Sequence, residues 1–394
     1  MILKTLSAEG YRNLAGGTLT LSNGVNLLYG ENAAGKTNTL ECAYLFACGR
    51  SFRTHKETDL IALGKETANC SLTLESAGRT RTMALTVHQS KAYGYVKKMR
   101  LDGYEVAKAS EFLGIFRAVL FTPDHLSLIK GKPEERRRFL DIALSQLDAR
   151  CVYDLNAYLK MLDQKNAYLR RVSLSGRADE DFLDVLNRSL AESGARVIEK
   201  RKAFISLLKD HAASYYASLT EKRDALALKY LCAVKEETAG ETQTADALYA
   251  LFRADMPSDV RAGHALHGPH KEDFVLTIEK TAGEVPVLEE TDDVEESGNV
   301  TAFAARSFGS QGEQRSAVLA LKLAEAAVSR EKTGEYPVLL LDDLLGELDR
   351  SRRRVLLSLI RDRQTVITCC DRDAFPESGD VNAVRVENGQ YFTE

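Results

Sequence analysis

The stretch YGENAAGKTNTL, residues 29–40, decides the fold. Gly30, Gly35, Lys36 and Thr37 fit the template G-x-x-x-x-G-K-[ST] of a phosphate-binding loop. Glycines let the backbone turn its amides towards phosphate, the lysine neutralises β/γ-phosphate charge, and the threonine hydroxyl suits Mg2+. The template carries weight only between a strand and a helix. VNLLY (25–29) reads as a buried strand, and the residues from Thr37 to Phe46 read as a helix. The expected nucleotide contacts are Gly30, Glu31, Asn32, Ala33, Ala34, Gly35, Lys36, Thr37 and Asn38, with Lys36 at the reacting phosphates.

A loop that binds phosphate needs a carboxylate to turn binding into hydrolysis. A P-loop ATPase places that acid at the end of a strand beside the P-loop strand. VLLL (338–341) is wholly apolar, as a buried parallel strand should be, and ends in Asp342-Asp343. Asp342 is assigned with Thr37 to Mg2+, and Asp343 to activating the attacking water. The plainer alternative is two acids capping the next helix. About three hundred residues separate the two strands. A compact kinase or GTPase has no place for that gap, whereas an ATPase head split by an inserted arm does. No N-K-x-D guanine-reading motif is present, so ATP is the expected nucleotide.

The split has internal texture. Residues 69–106 alternate apolar and polar positions between glycines, which predicts an antiparallel sheet. From Pro133 onward, Phe139, Leu140, Leu144, Leu147, Leu155, Tyr158, Leu162 and Leu169 recur at helical spacing. After the polar break SLSGRADED (173–181), Leu183, Leu186, Leu190, Val197, Phe204 and Leu208 repeat it. Two long helices with a short joint predict an antiparallel hairpin. The expected class is α/β: an ABC-type P-loop ATPase head, with a mixed sheet flanked by helices plus an antiparallel β subdomain, and an inserted helical arm. The expected divisions are 1–130 and 261–394 for the head and 131–260 for the arm.

Composition sets outer limits. The net charge is −4, but seven of the 57 acids fall in residues 281–300, which hold no Lys or Arg. Without them the basic residues slightly outnumber the acidic ones, so a local basic surface is allowed. The acidic stretch reads as a solvated loop. There is no apolar run long enough to span a membrane and no basic-then-apolar leader, so a cytoplasmic protein is expected. Seven scattered cysteines without C-x-x-C read as reduced thiols.

Ser310, Gln311, Gly312 and Glu313 open an Ala/Leu-rich helix about two dozen residues before the acid-bearing strand VLLL. Alone this is a helix cap. Before the acidic strand it has the order of an ABC signature, which serves the ATP of a partner subunit. At this point the chain resembles the RecF family of bacterial recombination-mediator ATPases, in the SMC/Rad50-like branch. The resemblance spans YRNL (11–14), GENAAGKTN (30–38), GRSFR (49–53), FTPDHLSLIKGKPEERRRFLD (121–141), GPHKED (268–273), FGSQGEQR (308–315), LLLDDLLGELD (339–349) and QTVIT (364–368). It implies an ATP-dependent homodimer that binds single- and double-stranded DNA at gap junctions, works with RecR and RecO, helps to load RecA and hydrolyses ATP slowly. It also implies a dimer-facing D-loop at Gly346, Glu347, Leu348 and Asp349. Gly346 stands where serine is usual, and Lys271-Glu272 where Arg-Asp is commoner. An SMC-like structural tether and, less well matched, a transporter ATPase are the alternative readings.

The remaining candidates are basic or histidine-rich. Arg50 and Arg53 read either as surface residues or as arginine fingers on nucleotide phosphate. Arg136, Arg137 and Arg138, with Lys130, Lys132, Arg170, Arg171, Arg177, Lys200, Arg201 and Lys202, read either as solvated helix faces or as contacts to DNA backbone. His264, His267 and His270 surround Gly268-Pro269, which breaks any helix, so a metal site is not expected.

Overall fold

Residue contacts in the computed structural model divide the chain into two units. One is Met1–His125 with Tyr215–Lys222 and Val318–Glu394. The other is Leu126–Ser214 with Arg223–Ala317. The described residues are 1–393 except 91, 93, 177, 222–223, 235–239, 282–293, 298–299, 306–308, 373–374 and 376–380. Arg177, Phe308 and most of the acidic stretch 281–300 lie outside them.

In the first unit, β1 (Ile2–Glu9) pairs antiparallel with β2 (Thr18–Thr20), and β3 (Val25–Tyr29) runs into the phosphate loop and α1 (Lys36–Cys48). β4 (Thr67–Ser76), β5 (Arg79–Ser90), β6 (Gly94–Leu101) and β7 (Tyr104–Val106) then form the expected antiparallel sheet, in the order β2-β1-β4-β5-β6-β7. Its inner face follows strict alternation: Ala68, Cys70, Leu72 and Leu74 on β4 face the core with Met83, Leu85 and Val87 on β5. β8 (Ala118–Phe121) is buried throughout and belongs to the other sheet of the unit.

The second unit includes α2 (Pro133–Leu147), α3 (Ala149–Ser175) and α4 (Glu180–Leu219) as far as Ser214, the residues from Tyr215 belonging to the first unit. The expected helix from 134 to 170 is interrupted at Asp148, whose extended backbone ends α2 and whose side chain accepts the Arg150 N–H to start α3. The hairpin of α3 and α4 is antiparallel: Tyr168, Leu169 and Val172 pack with Leu183 and Leu186, and Tyr158 and Leu162 with Leu190, Ala195 and Ile198. The strands β9 (Asp224–Leu231), β10 (Asp273–Thr281), β11 (Val294–Ser297) and β12 (Val300–Ala304) form a sheet in the order β11-β12-β10-β9. Between β9 and β10 come α5 (Glu241–Ala254) and α6 (Met256–Ala262). Pairing of β10 with β9 holds residues after 260 in this unit, so it extends to Ala317 and not to the expected boundary.

α7 (Gln311–Thr333) leads back to the first unit, which adds β13 (Val338–Leu341), α8 (Arg350–Leu359), β14 (Thr365–Cys369), β15 (Val381–Glu387) and β16 (Gln390–Thr393). The core sheet has the order β16-β15-β3-β14-β13-β8, parallel except for β16. One expectation is corrected here. The acid-bearing strand β13 is not beside β3. The wholly buried β14 lies between them and pairs in parallel with both. Because these strands run the same way, Gly30, Asp342 and Cys370 all emerge at one edge of the sheet, where α/β proteins place ligands.

Candidate nucleotide site

The phosphate loop turns on three residues with left-handed backbone: Gly30 (φ 148°), Ala33 (φ 64°) and Gly35 (φ 114°). A side chain on Gly30 would lie 2.2 Å from the Val386 carbonyl oxygen, so only glycine fits. Gly35 caps α1 without a side-chain acceptor, and the first turn carries no acid. The helix therefore opens on unsatisfied amides, Lys36 and Thr37, an arrangement suited to anions. Lys36 is almost buried, and its Nζ donates to the carbonyls of Gly30 (2.6 Å) and Glu31 (2.8 Å). The ammonium thus spans the loop it would share with phosphate.

The two halves of the site meet directly. Thr37 Oγ1 donates to Asp342 Oδ1 at 2.8 Å, across 305 residues of sequence. Thr368 Oγ1, at the end of β14, reaches the same carboxylate oxygen at 2.8 Å and accepts the Asp343 N–H at 2.9 Å. Burial lifts Asp342 above the usual carboxylate range, opposed by the hydroxyls of Thr368 and Thr37 and by the charge of Arg53. Asp343 has a left-handed backbone (φ 47°) and is exposed beside it. One carboxylate is held by two hydroxyls, and the next is open to solvent. Thr37 and Asp342 are hard oxygen donors in contact, which fits Mg2+.

Support for the loop comes from residues that the motif does not contain. Asn13 Nδ2 donates to the Ala33 carbonyl (2.6 Å), Asn38 Nδ2 donates to Asn13 Oδ1 (2.7 Å), and Arg53 Nη1 donates to Asn38 Oδ1 (2.6 Å). Beneath them the fully buried Glu41 accepts a two-pronged bond from Arg12 and a hydroxyl bond from Ser51. Gly389 N–H donates to the Ala34 carbonyl, and Cys370 Sγ donates to Asn32 Oδ1 at 3.1 Å. The sequence reading gave no role to Arg12, Asn13, Glu41 or Thr368, although YRNL and QTVIT contain three of them. A threonine near the end of the strand TVITC, and a glutamate inside a largely apolar helix, were the available signals. Of the two candidate arginine fingers, Arg53 joins this network, whereas Arg50 is exposed and its side chain has no partner among the described residues.

The signature residues lie in the second unit. Ser310 and Glu313 form a reciprocal cap on α7: Ser310 N–H donates to Glu313 Oε2 (2.7 Å), and Glu313 N–H to Ser310 Oγ (3.3 Å). In the D-loop, Gly346 is exposed, Glu347 closes a single helical turn, Leu348 is buried, and Asp349 caps α8 by accepting the Arg352 N–H at 2.9 Å.

The basic clusters, read either as solvated faces or as contacts to DNA backbone, include several side chains that are neither exposed nor unpaired. Arg136 is buried and bound two-pronged to Asp273, with further bonds to the carbonyls of Leu128 and Gly131. Arg137 donates to the Glu272 carbonyl. Arg201 is held by Asp141 and the Pro269 carbonyl, Lys200 by Asp154, and Lys202 by Glu199. These side chains hold the unit together. Arg138, Arg170 and Arg171 have no carboxylate partner among the described residues. The histidines diverge: His264 turns to the Ala262 carbonyl, His267 to Asp255, and His270 to Tyr158.

Comparison with known proteins agrees with this geometry. Residues 2–391 match the family model described as RecF/RecN/SMC N terminal domain. The DNA replication and repair protein RecF of Staphylococcus haemolyticus is 36% identical over 376 residues, 95% of this chain and 94% of the relative. That of Ruminiclostridium cellulolyticum is 33% identical over 377 residues, with the same coverage. Among solved structures, the recombination mediator protein RecF-ATPrS of the RecFOR pathway aligns with a TM-score of 0.86 at 29% identity, covering 100% of this chain and 98% of that one. RecF-ATP of the same pathway aligns at 0.85 and 30%, covering 100% and 97%. An SMC head bound to the C-winged helix domain of ScpA shares the fold at a TM-score of 0.57 and 16% identity, covering 100% and 97%.

Proposed function

The chain belongs to the RecF/RecN/SMC N-terminal domain family and, within it, to the RecF proteins, and from that membership we propose an ATP-dependent DNA-binding protein of replication and recombinational repair. ATP drives two copies together, and the dimer clamps DNA at single-strand gaps. It acts with RecR and RecO to help load RecA, and slow hydrolysis resets it. The observation that carries the nucleotide half of this reading is the 2.8 Å contact of Thr37 with Asp342, which joins phosphate loop and acid into one site. The names of the relatives support the DNA half.

The residues divide the work. Loop amides and Lys36 bind and orient the β- and γ-phosphates. Thr37 and Asp342 would hold Mg2+, which supplies charge neutralisation on the phosphate oxygens when bound. Asp343, open to solvent, takes the proton of the attacking water. Ser310, Gln311, Gly312 and Glu313 serve the γ-phosphate of the partner copy, and residues 346–349 face that partner. No helix among the described residues is long and apolar enough to cross a membrane.

The composite site has a specific test. Ser310→Arg leaves nucleotide binding by the monomer near normal and blocks ATP-dependent dimerisation. Lys36→Met removes both. Mixing the two variants restores one working site per heterodimer, read as partial ATP turnover and as dimers by light scattering. Loss of monomer ATP affinity in Ser310→Arg, with no rescue on mixing, refutes the shared site.

A further inference from the structure

The edge of the core sheet opposite the phosphate loop gathers several arginines. Arg363 precedes β14, Glu335 and Tyr336 precede β13, and Arg117 precedes β8, side by side in the order of the strands. The carboxylate of Glu335 is fully engaged: the Met1 ammonium lies 3.6 Å away and Arg117 Nη2 3.5 Å away, with further bonds from Ser76 Oγ and the Ala77 N–H. That leaves Arg330 and Arg363 without an acid among the described residues. Both guanidinium carbons lie against the ring of Tyr336, 4.6 Å and 4.2 Å from its centre. Arg330 Nη1 donates to Tyr336 Oη at 2.9 Å. Arg363 Nη2 donates to Tyr215 Oη at 2.8 Å and to Tyr336 Oη at 3.4 Å. Arg363 is only 7% exposed, and its Nη1 is buried with no partner among the described residues.

A guanidinium stays charged at any working pH, so a buried one without a counter-ion is costly. The tyrosine ring offsets part of that cost. A second guanidinium on the same ring adds like-charge repulsion. An oxyanion would relieve both. Each phenol accepts from an arginine and so keeps its own proton to donate. Two forked cations and two phenol hydroxyls lie in direct contact with one another. That set matches a phosphate, which has three or four acceptor oxygens, better than a carboxylate with two. Arg330 is exposed and gives the site its mouth.

We propose that Arg330, Arg363, Tyr336 and Tyr215 form a second phosphate-binding site, at the far edge of the sheet from the nucleotide site. Its ligand is a phosphate oxyanion, carried by a nucleic-acid backbone or by a free polyphosphate.

The test uses the full chain carrying Lys36→Met, which disables the phosphate loop, and titrates it calorimetrically with inorganic pyrophosphate. Binding is expected, and adding Arg330→Gln weakens it about tenfold or more, the loss of one charge-assisted contact. Arg330→Lys, which keeps the charge but not the fork, falls between. No binding to the Lys36→Met protein, or equal affinity after Arg330→Gln, overturns the site. A thymidine oligonucleotide that displaces pyrophosphate identifies backbone phosphate as the source. Displacement by free triphosphate alone identifies a soluble polyphosphate, and displacement by neither overturns the site.

Discussion

The nucleotide edge of the core sheet and the interior of the helical unit are both rich in polar groups, and they use them in opposite ways. At the nucleotide edge the bonds are provisional. Lys36 rests on two carbonyls, Asp342 is lifted by burial while sharing one oxygen between two hydroxyls, and Asp343 is open to water. In the helical unit the bonds are closed. Lys165 and Asp259 are both buried, 2.7 Å apart, and Asp259 also accepts the Leu266 N–H. Arg136 and Arg201 are each held by a carboxylate and by carbonyls. The first arrangement leaves donors and acceptors to be claimed by a ligand. In the second, these pairs are closed on one another and specify how the helices fit together, with the buried Asn187 side chain the exception among the described residues.

The largest effect expected from this contrast is at Lys36. Lys36→Met should lower nucleotide affinity at least about a hundredfold, since a charge-assisted contact to phosphate is lost where the loop amides cannot replace it. The stability of the nucleotide-free protein should change by no more than about 1 kcal/mol, because the two released carbonyls can turn to water. Equilibrium dialysis and urea unfolding separate the two quantities. A large stability loss would place Lys36 with the closed interior and break the comparison.

The mirror experiment is in the helical unit. Asp259→Ala strands the Lys165 ammonium, which is 1% exposed, and should cost about 3–5 kcal/mol. The double change Lys165→Met with Asp259→Leu should recover most of that. Nucleotide affinity of the folded fraction should stay within about twofold of the parent, well short of the tenfold that 1.4 kcal/mol gives.

The same contrast explains what could be read from the sequence. The phosphate loop, the acidic strand and the split head were legible because each is a local pattern with a fixed chemical purpose. Gly30 is a glycine because a side chain there would collide with Val386, and that need is written at one position. The order β3-β14-β13 was not legible, since an apolar strand such as TVITC carries no mark of which neighbour it takes. The loop's supports failed to show for a related reason. Arg12 and Glu41 are far enough apart to look like separate surface charges, and only folding brings them into a two-pronged pair. Runs of arginine misled in the other direction. PEERRRFLD reads as a basic face, but helical geometry turns Arg136 inward to Asp273, 137 residues away. Charge counted along the chain does not say whether its partner is solvent, phosphate or protein.

A smaller effect separates the regions by pH. Burial depresses His270 to about 4, with a hydrogen bond to the Ala265 carbonyl opposing it and nearby cations adding to it. In the unfolded chain the same ring takes up its proton near 6.5. Between these values the unfolded state binds more protons, so stability falls as pH drops from about 6.5 towards 4 and is unaffected by this group above that range. His270→Gln should flatten that part of the profile. Urea midpoints at pH 7 and pH 5 read the difference. An unchanged slope would mean that other groups dominate acid unfolding.

The smallest effect concerns Asp349, where closed and open roles compete for one side chain. As a helix cap it accepts the Arg352 N–H at 2.9 Å and pairs with the Arg352 guanidinium at 2.6 Å. Removing a cap of this kind costs about 1 kcal/mol, so Asp349→Ala should lower stability by that amount. Asparagine caps as well as aspartate but carries no charge, and the Arg352 pair is exposed enough to contribute little. Asp349→Asn should therefore be as stable as the parent within about 0.5 kcal/mol. If residues 346–349 face a second copy, Asp349→Asn should still weaken ATP-dependent dimerisation, because what it removes is a charge presented outward. If Asp349 only caps α8, the asparagine variant will dimerise like the parent and only the alanine variant will show any change. Both substitutions remove the charge and only alanine removes the cap, so a dimerisation loss shared by the two marks a side chain open to a partner, and a loss confined to alanine marks one closed into its own helix.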